Sequence, residues 1–131
     1  MLVYLDSSAI VKLVRTEPET AALVAHLRAW PERVSSALAR LELLRALRRD
    51  RALPQTYRRA SEVLARLALI RIDDSVLATA EGLDPSDLRA LDAIHLATAL
   101  SLGRDLTAVV TYDRRLAEAA GLAKLVTWSP Q

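Results

Sequence analysis

Cysteine is absent from the 131-residue sequence, which excludes disulfide bonds, thiolate chemistry and cysteine-ligated zinc sites. Phenylalanine is also absent, and aromatic residues make up only 4% of the chain, which argues against a broad platform for stacking single-stranded bases. No stretch approaches the roughly 18 uninterrupted apolar residues of a membrane span, and no basic leader precedes the first apolar run. These absences predict a cytoplasmic protein without a membrane partner.

Hydrophobic residues make up 52% of the chain, mainly as Leu, Ala and Val, which is enough for a compact core. The length and the lack of linkers or repeats predict a single domain over residues 1–131. Short apolar runs alternate with longer helical patterns, an order typical of α/β proteins with a mostly parallel sheet.

The patterns predict five strands and seven helices. Ser7 or Ser8 is expected to cap the first helix, and Pro18 is expected to start the second. Ser86 or Asp87 is expected to cap the sixth helix, which ends at Gly103. The predicted strands span 2–5, 33–36, 69–72, 108–111 and 124–128, and the predicted helices 8–15, 19–30, 37–50, 54–68, 75–82, the segment before Gly103, and 114–121.

Two carboxylates directly follow predicted strands. Asp6 comes after LVYL, and Asp113 comes two residues after AVVT. The carboxyl ends of parallel strands form the crevice in which ligands bind, so Asp6 and Asp113 would share one crevice if their strands are neighbours. Each could instead simply cap the helix that follows it.

Two further carboxylates lie on helix faces that are not polar. Glu42 has small and apolar residues one turn away, and Asp92 interrupts the apolar run LRALDAIHLATAL. Both are therefore expected to project inward or into a cleft. The ordinary alternative is an ion pair within each helix, with Arg45 or Arg49 for Glu42 and with Arg89 or His95 for Asp92.

Carboxylates gathered in one cleft repel one another unless a cation neutralises them. Mg²⁺, or Mn²⁺ in its place, suits oxygen ligands and substrate phosphates. Four acids without a nucleophilic Cys or Ser–His pair favour metal-assisted hydrolysis of a phosphodiester. Nine arginines lie within residues 40–71, and Arg114 and Arg115 follow Asp113, so guanidinium contacts to phosphates of a polyanion are expected.

Four segments, YLDSSAIVKL, ARLELLRAL, LRALDAIHLATAL and VVTYDRRLAEAAG, together resemble the PIN-domain family, and specifically VapC-type toxins of toxin–antitoxin pairs. The resemblance covers essentially the whole chain. It implies a three-layer α/β/α sandwich around a mostly parallel sheet and an endoribonuclease that depends on Mg²⁺ or Mn²⁺. It further implies homodimers and inhibition by a VapB-type antitoxin.

Transferred to this sequence, the resemblance assigns the acidic, metal-binding and catalytic positions to Asp6, Glu42, Asp92 and Asp113, and supporting hydroxyls to Ser7 or Ser8 and Thr111. His95 is interpreted as a structural histidine in preference to a partner of a metal ligand, and Tyr112 and Trp128 as packing residues.

The alternative is a catalytically silent PIN-like or receiver-like domain that binds metal and a partner without turnover. Ser7 and Ser8 stand where a receiver would carry a second acid, and Ser8 also removes the Asp-x-Asp signature of aspartyl-phosphate phosphatases.

Overall fold

The computed structural model describes residues 1–131, which form a five-stranded sheet covered by helices on both faces. The strands are β1 (Leu2–Leu5), β2 (Arg33–Ser36), β3 (Ala68–Ile70), β4 (Leu106–Val110) and β5 (Thr127–Trp128). The helices are α1 (Ser7–Val14), α2 (Thr20–Leu27), α3 (Ala37–Arg49), α4 (Pro54–Ala65), α5 (Asp74–Glu81), α6 (Ala90–Leu100) and α7 (Arg114–Leu122), with a 3-10 turn at Gly103–Asp105. No helix is long and apolar enough to cross a membrane.

The sheet has the order β3-β2-β1-β4-β5, and all four strand pairings are parallel. The chain builds outward from β1 through β2 to β3, and then returns to the other side of β1 to add β4 and β5. The strand order therefore reverses between β1 and β4, which is where open parallel sheets form their ligand crevice. The predicted α/β/α sandwich is confirmed, with a sheet that is parallel throughout.

Two apolar layers flank the sheet. Val3 and Leu5 of β1 pack with residues of α1, α2, α3 and α4 on one face. Tyr4 points to the opposite face, where it packs with Ala99 of α6. This alternation follows from the two-residue period of a strand, and burial on both faces explains why LVYL contains no charged residue.

Every predicted helix and strand is present, and the differences lie at the ends. β5 begins three residues later than predicted, because the turn that follows α7 continues through Lys124. Lys124 has a positive φ of 66°, and its N–H donates a hydrogen bond to Gly121 O at 2.9 Å. Helices α2 and α4 end earlier than predicted, as their last turns tighten into bonds between residues three apart, for example Arg66 N–H to Val63 O at 3.1 Å.

Three predicted helix starts are wrong. Asp6, and neither serine, caps α1, because its carboxylate accepts the Ala9 N–H. Pro18 lies outside α2, which begins at Thr20. Neither Ser86 nor Asp87 caps α6. A turn precedes the helix, in which the Leu88 N–H donates to Pro85 O at 2.9 Å. The backbone of Arg89 is extended, so the first helical residue is Ala90. The short helix places Asp92 in its first turn.

Candidate active site

Asp6 follows β1 and lies almost fully buried at the carboxyl end of the sheet, 3% exposed. Its Oδ1 accepts hydrogen bonds from the Ala9 N–H at 3.0 Å and from the Ser8 hydroxyl at 2.7 Å, and its Oδ2 accepts from the Thr111 hydroxyl at 2.6 Å. Burial raises the pKa of Asp6 above its ordinary value, although the bonds from Thr111 and Ser8 oppose the rise. Two predicted supporting hydroxyls, Ser8 and Thr111, are thus partners of Asp6.

Asp113 follows β4, which pairs directly with β1, so the condition set for Asp6 and Asp113 to lie at the same edge of the sheet, that their strands be neighbours, is met. Asp113 Oδ1 caps α7 by accepting the N–H groups of Arg115 at 2.9 Å and Leu116 at 3.3 Å. Its own N–H donates to Thr111 Oγ1 at 3.0 Å, and this hydroxyl therefore joins Asp6 to Asp113. Asp113 Oδ2 has no hydrogen-bond partner within the chain.

Glu42 extends from α3 toward the start of α1 and toward α6. Its Oε1 accepts hydrogen bonds from the Ser7 hydroxyl and from His95 Nε2, the latter at 2.6 Å. Burial by itself would raise the pKa of Glu42, but the bonds from His95 and Ser7 outweigh it and hold the pKa below its usual value. The alternative of a surface pair with Arg45 or Arg49 is not formed.

Asp92 lies in the first turn of α6, with a side chain that is 15% exposed. Its Oδ2 is buried and accepts no hydrogen bond, and the nearest cation, Arg89, places Nε 3.5 Å away. Burial first, and the nearby Asp113 carboxylate second, raise the pKa of Asp92 above its ordinary value. The inward projection expected for Asp92 is confirmed, together with the weak pairing to Arg89.

His95 is more closely involved with the acids than the sequence suggested. It is buried, Nε2 bonds to Glu42 Oε1, and Nδ1 lies 2.7 Å from the Tyr4 hydroxyl. It is thus both a satisfied core histidine and a direct partner of a candidate metal ligand. Tyr4 was missed in the sequence. The available signal was a single hydroxyl-bearing residue in an otherwise aliphatic strand, at the position that faces α6.

Arg114 and Arg115 do not share one environment. Arg114 lines a cavity of about 160 Å³ together with Thr111 and Asp113. Arg115 lines a separate cavity with two acids, Asp87 and Glu118. Of the two predicted phosphate contacts, only Arg114 therefore borders the carboxylate crevice. Tyr112 and Trp128 pack against the core, as expected.

The donor set suits a hard divalent cation held by few protein ligands. No three His, Asp or Glu side chains stand close enough to hold an ion between them. Mg²⁺ does not require this, because it is usually held by one or two carboxylates, waters and substrate phosphates. Asp92 Oδ2 is buried without a hydrogen bond, and the nearby Asp113 carboxylate contributes to the raised pKa of Asp92. A cation bound at this oxygen would compensate both the missing hydrogen bond and the repulsion. The residues therefore fit such an ion.

Comparison with known proteins identifies the family. The PIN domain profile matches residues 3–122. The chain belongs to the PIN-domain family. It is 51% identical to Ribonuclease VapC46 of Mycobacterium tuberculosis over 98% of this chain and 97% of that protein, and 41% identical to Ribonuclease VapC47 of the same species over the same shares. These identities place it among VapC-type members, as the sequence resemblance predicted.

Solved structures agree on the fold. VapBC2 from Rickettsia felis, bound to a DNA fragment from its promoter, aligns over the full length of both chains with a TM-score of 0.80 at 14% identity. VapC20 of Mycobacterium tuberculosis, described as a sarcin-ricin loop cleaving toxin, covers 98% of this chain and 99% of its own with a TM-score of 0.70 at 16% identity. At such identities the likeness concerns the fold alone.

Proposed function

We propose that residues 1–131 act as one PIN domain, the toxin of a type II toxin–antitoxin pair, and that it hydrolyses RNA phosphodiester bonds as an Mg²⁺- or Mn²⁺-dependent endoribonuclease. The observation that carries this proposal is that Asp92 Oδ2 is buried without a hydrogen bond and lies near Asp113, which follows β4 where the strand order reverses. The VapC ribonucleases among its relatives support the reaction class.

Asp92, Asp113, Glu42 and Asp6 are the candidate ligands, and one or two of them would contact the ion at a time, because no three stand close enough to hold it together. Asp92 offers a buried oxygen without a hydrogen bond, while Asp113 and Glu42 each use one oxygen within the fold and keep the other available. Asp6 is held in place by Ser8 and Thr111, so its remaining lone pairs have a defined direction. When bound, a divalent ion at such a site supplies an activated water and offsets charge on the phosphate.

Arg114 is the group best placed to bind a phosphate of the RNA. It borders the cavity lined by Thr111 and Asp113, and a guanidinium can contact two phosphate oxygens at once. This contact would position the scissile bond beside the carboxylates and keep the polyanion in a crevice that is otherwise acidic.

A second surface fits the antitoxin. A cavity of about 220 Å³ between α1, α2 and α4 has an apolar floor that includes Leu27 and Val63, and four arginines line it against one acid. The arginines are Arg28, Arg33, Arg59 and Arg66, and the acid is Glu62. An amphipathic segment of a VapB-type partner with acidic flanks would match this surface, in line with the VapBC complexes among the structural neighbours.

Homodimerisation and a cytoplasmic location complete the proposal. Leu41 on α3 and Leu91 on α6 are 59% and 49% exposed, and each directly precedes a candidate acid, Glu42 or Asp92. A second copy covering these leucines would bury apolar surface beside the crevice.

RNA cleavage by purified, antitoxin-free protein tests the proposal. The wild type is expected to cleave RNA with Mg²⁺ or Mn²⁺, and Asp92→Asn should lose at least about a hundredfold in rate, because even outer partners of metal ligands contribute 10–100-fold. Asp105→Asn is the matched control, since Asp105 is exposed at the other end of β4. Metal binding by a wild type that cleaves no RNA would favour the catalytically silent alternative.

A further inference from the structure

A hydrogen-bonded chain of three side chains links the sheet to both helical layers. Tyr4 of β1 contacts His95 of α6 through its hydroxyl, 2.7 Å from Nδ1, and His95 Nε2 contacts Glu42 of α3 at 2.6 Å. Tyr4 and His95 are 0% and 2% exposed, so water does not compete for these bonds. The tyrosine and imidazole rings also meet edge to face, with centroids 5.9 Å apart.

The proton positions follow from the acceptor at one end. An ionised Glu42 can only accept a hydrogen bond, so together with Tyr4 it favours the tautomer of His95 that carries its proton on Nε2. In a neutral imidazole, Nδ1 then has a free lone pair, and the Tyr4 hydroxyl is positioned to donate to it. The opposite tautomer would place the Nε2 lone pair against a carboxylate oxygen at 2.6 Å, which is repulsive.

Glu42 is oriented by this arrangement. Its Oε1 receives both the His95 Nε2–H and the Ser7 hydroxyl, whereas Oε2 has no hydrogen-bond partner in the chain. Two donors on one oxygen determine which oxygen remains available to a cation. A histidine with a free choice of tautomer would provide this orientation only part of the time.

We propose that Tyr4 is a positioning residue that holds His95 in its Nε2–H tautomer, and that His95 in turn directs Glu42 Oε2 toward the metal. The proposal rests on the proposed function for the identity of the ligand site. Neither Tyr4 nor His95 touches the ion or the RNA in this scheme. Both act through Glu42.

Nitrogen-15 NMR of the histidine ring in the metal-free wild type gives the first test. His95 should show one protonated nitrogen, Nε2, and one unprotonated nitrogen, Nδ1. Tyr4→Phe should shift the ring toward a mixture of tautomers. Tyr57→Phe is the matched control, since Tyr57 is an exposed tyrosine of α4 with no side-chain hydrogen bond, and should leave the His95 signals unchanged. A wild-type His95 protonated on Nδ1, or on both nitrogens, would overturn the proposal.

Mn²⁺ affinity, measured by the electron paramagnetic resonance of free Mn²⁺, gives the second test. Loss of His95, the direct partner of Glu42, should weaken binding by about 10–100-fold. Tyr4→Phe should weaken it measurably but less, because Tyr4 acts one contact further away, and Tyr57→Phe should not weaken it. His95→Gln keeps a donor near the Nε2 position and should retain more affinity than His95→Leu, which tests the step from His95 to Glu42 independently of Tyr4→Phe. Equal affinity in all variants, or no Mn²⁺ binding by the wild type, overturns the positioning role.

Neither readout requires catalysis. A wild type that binds Mn²⁺ and shows the expected tautomer, yet cleaves no RNA, contradicts the proposed function and leaves the positioning role intact. A wild type that cleaves RNA while Tyr4→Phe binds Mn²⁺ equally well contradicts the positioning role alone.

Discussion

Asp92 has the one carboxylate oxygen among the buried side-chain atoms that lack a hydrogen bond. Its Oδ2 is buried without a hydrogen bond, and Arg89, 65% exposed, approaches only to 3.5 Å. An exposed partner of this kind contributes about 0–1 kcal/mol, and the N-terminus of α6 adds a comparable amount, about 0.3–1 kcal/mol. The free energy of desolvating a carboxylate exceeds the sum of these two interactions. An ionised Asp92 therefore destabilises the metal-free protein.

Asp92→Asn should therefore stabilise the metal-free protein at neutral pH, with a melting temperature a few degrees above that of the wild type. Burial and Asp113 raise the pKa of Asp92 in the folded chain, so the wild type is penalised above that pKa, where Asp92 is ionised. As the pH falls below the raised pKa, folded Asp92 takes up a proton and the difference should shrink, and it should vanish once the pH is below the ordinary pKa of an aspartate.

Thermal melts from pH 7 downward, followed by circular dichroism, check this prediction. Added Mg²⁺ should reverse the order at pH 7 by stabilising only the wild type. A variant that melts below the wild type in the absence of metal would show that Asp92 has a compensating partner in the fold.

At the scale of single elements, two candidate acids also determine where helices begin. Asp6 accepts the Ala9 N–H at the start of α1, and Asp113 accepts two backbone N–H groups at the start of α7. The capping roles and the site roles are compatible, because capping uses one carboxylate oxygen and leaves lone pairs on the other. The choice between a cap and a functional acid, open in the sequence, is therefore not exclusive in the fold.

Asp113→Asn and Asp113→Ala separate the two roles of this residue. Both remove the charge, but only Asn keeps an oxygen that can cap α7, so the Ala variant should be less stable than the Asn variant by about 0.5–2 kcal/mol. RNA cleavage should fall strongly in both. Urea unfolding and a cleavage assay on the same preparations provide the measurements. Equal stability of the two variants would show that Asp113 does not stabilise α7 as a cap. Full activity of the Asn variant would show that RNA cleavage does not need the charge of Asp113.

Across the whole molecule, the charge is distributed unevenly around the crevice. The net charge is only +2, and the candidate site is acidic, so attraction of RNA depends on individual arginines at its border. Arg114 lies on the cavity with Asp113, whereas Arg115, next to it in sequence, faces Asp87 and Glu118. At the start of α7 the side chains of Arg114 and Arg115 therefore line different cavities.

Arg114→Ala and Arg115→Ala should consequently differ in RNA binding. Measured in an Asp92→Asn background to prevent cleavage, loss of Arg114 should weaken affinity and flatten the plot of log affinity against log salt concentration by about 0.7, the value of one phosphate contact with a single strand. Loss of Arg115 should change the slope little. Fluorescence anisotropy with a labelled RNA at several salt concentrations measures both, and identical slopes for the two variants would exclude the proposed contact of Arg114.

The sequence by itself determined the order of helices and strands, the layered α/β architecture and four candidate acids, two after strands and two on apolar helix faces. These features depend on local periodicity and on the rule that crevices form at the carboxyl ends of parallel strands, both of which are readable along the chain. The tertiary structure alone decided the partners that come from distant parts of the chain. Tyr4, His95 and Glu42 lie on three different elements, 91 and 53 residues apart in their two contacts, so no local pattern could pair them. The cap of α6 and the separation of Arg114 from Arg115 depended likewise on turns whose geometry only packing specifies.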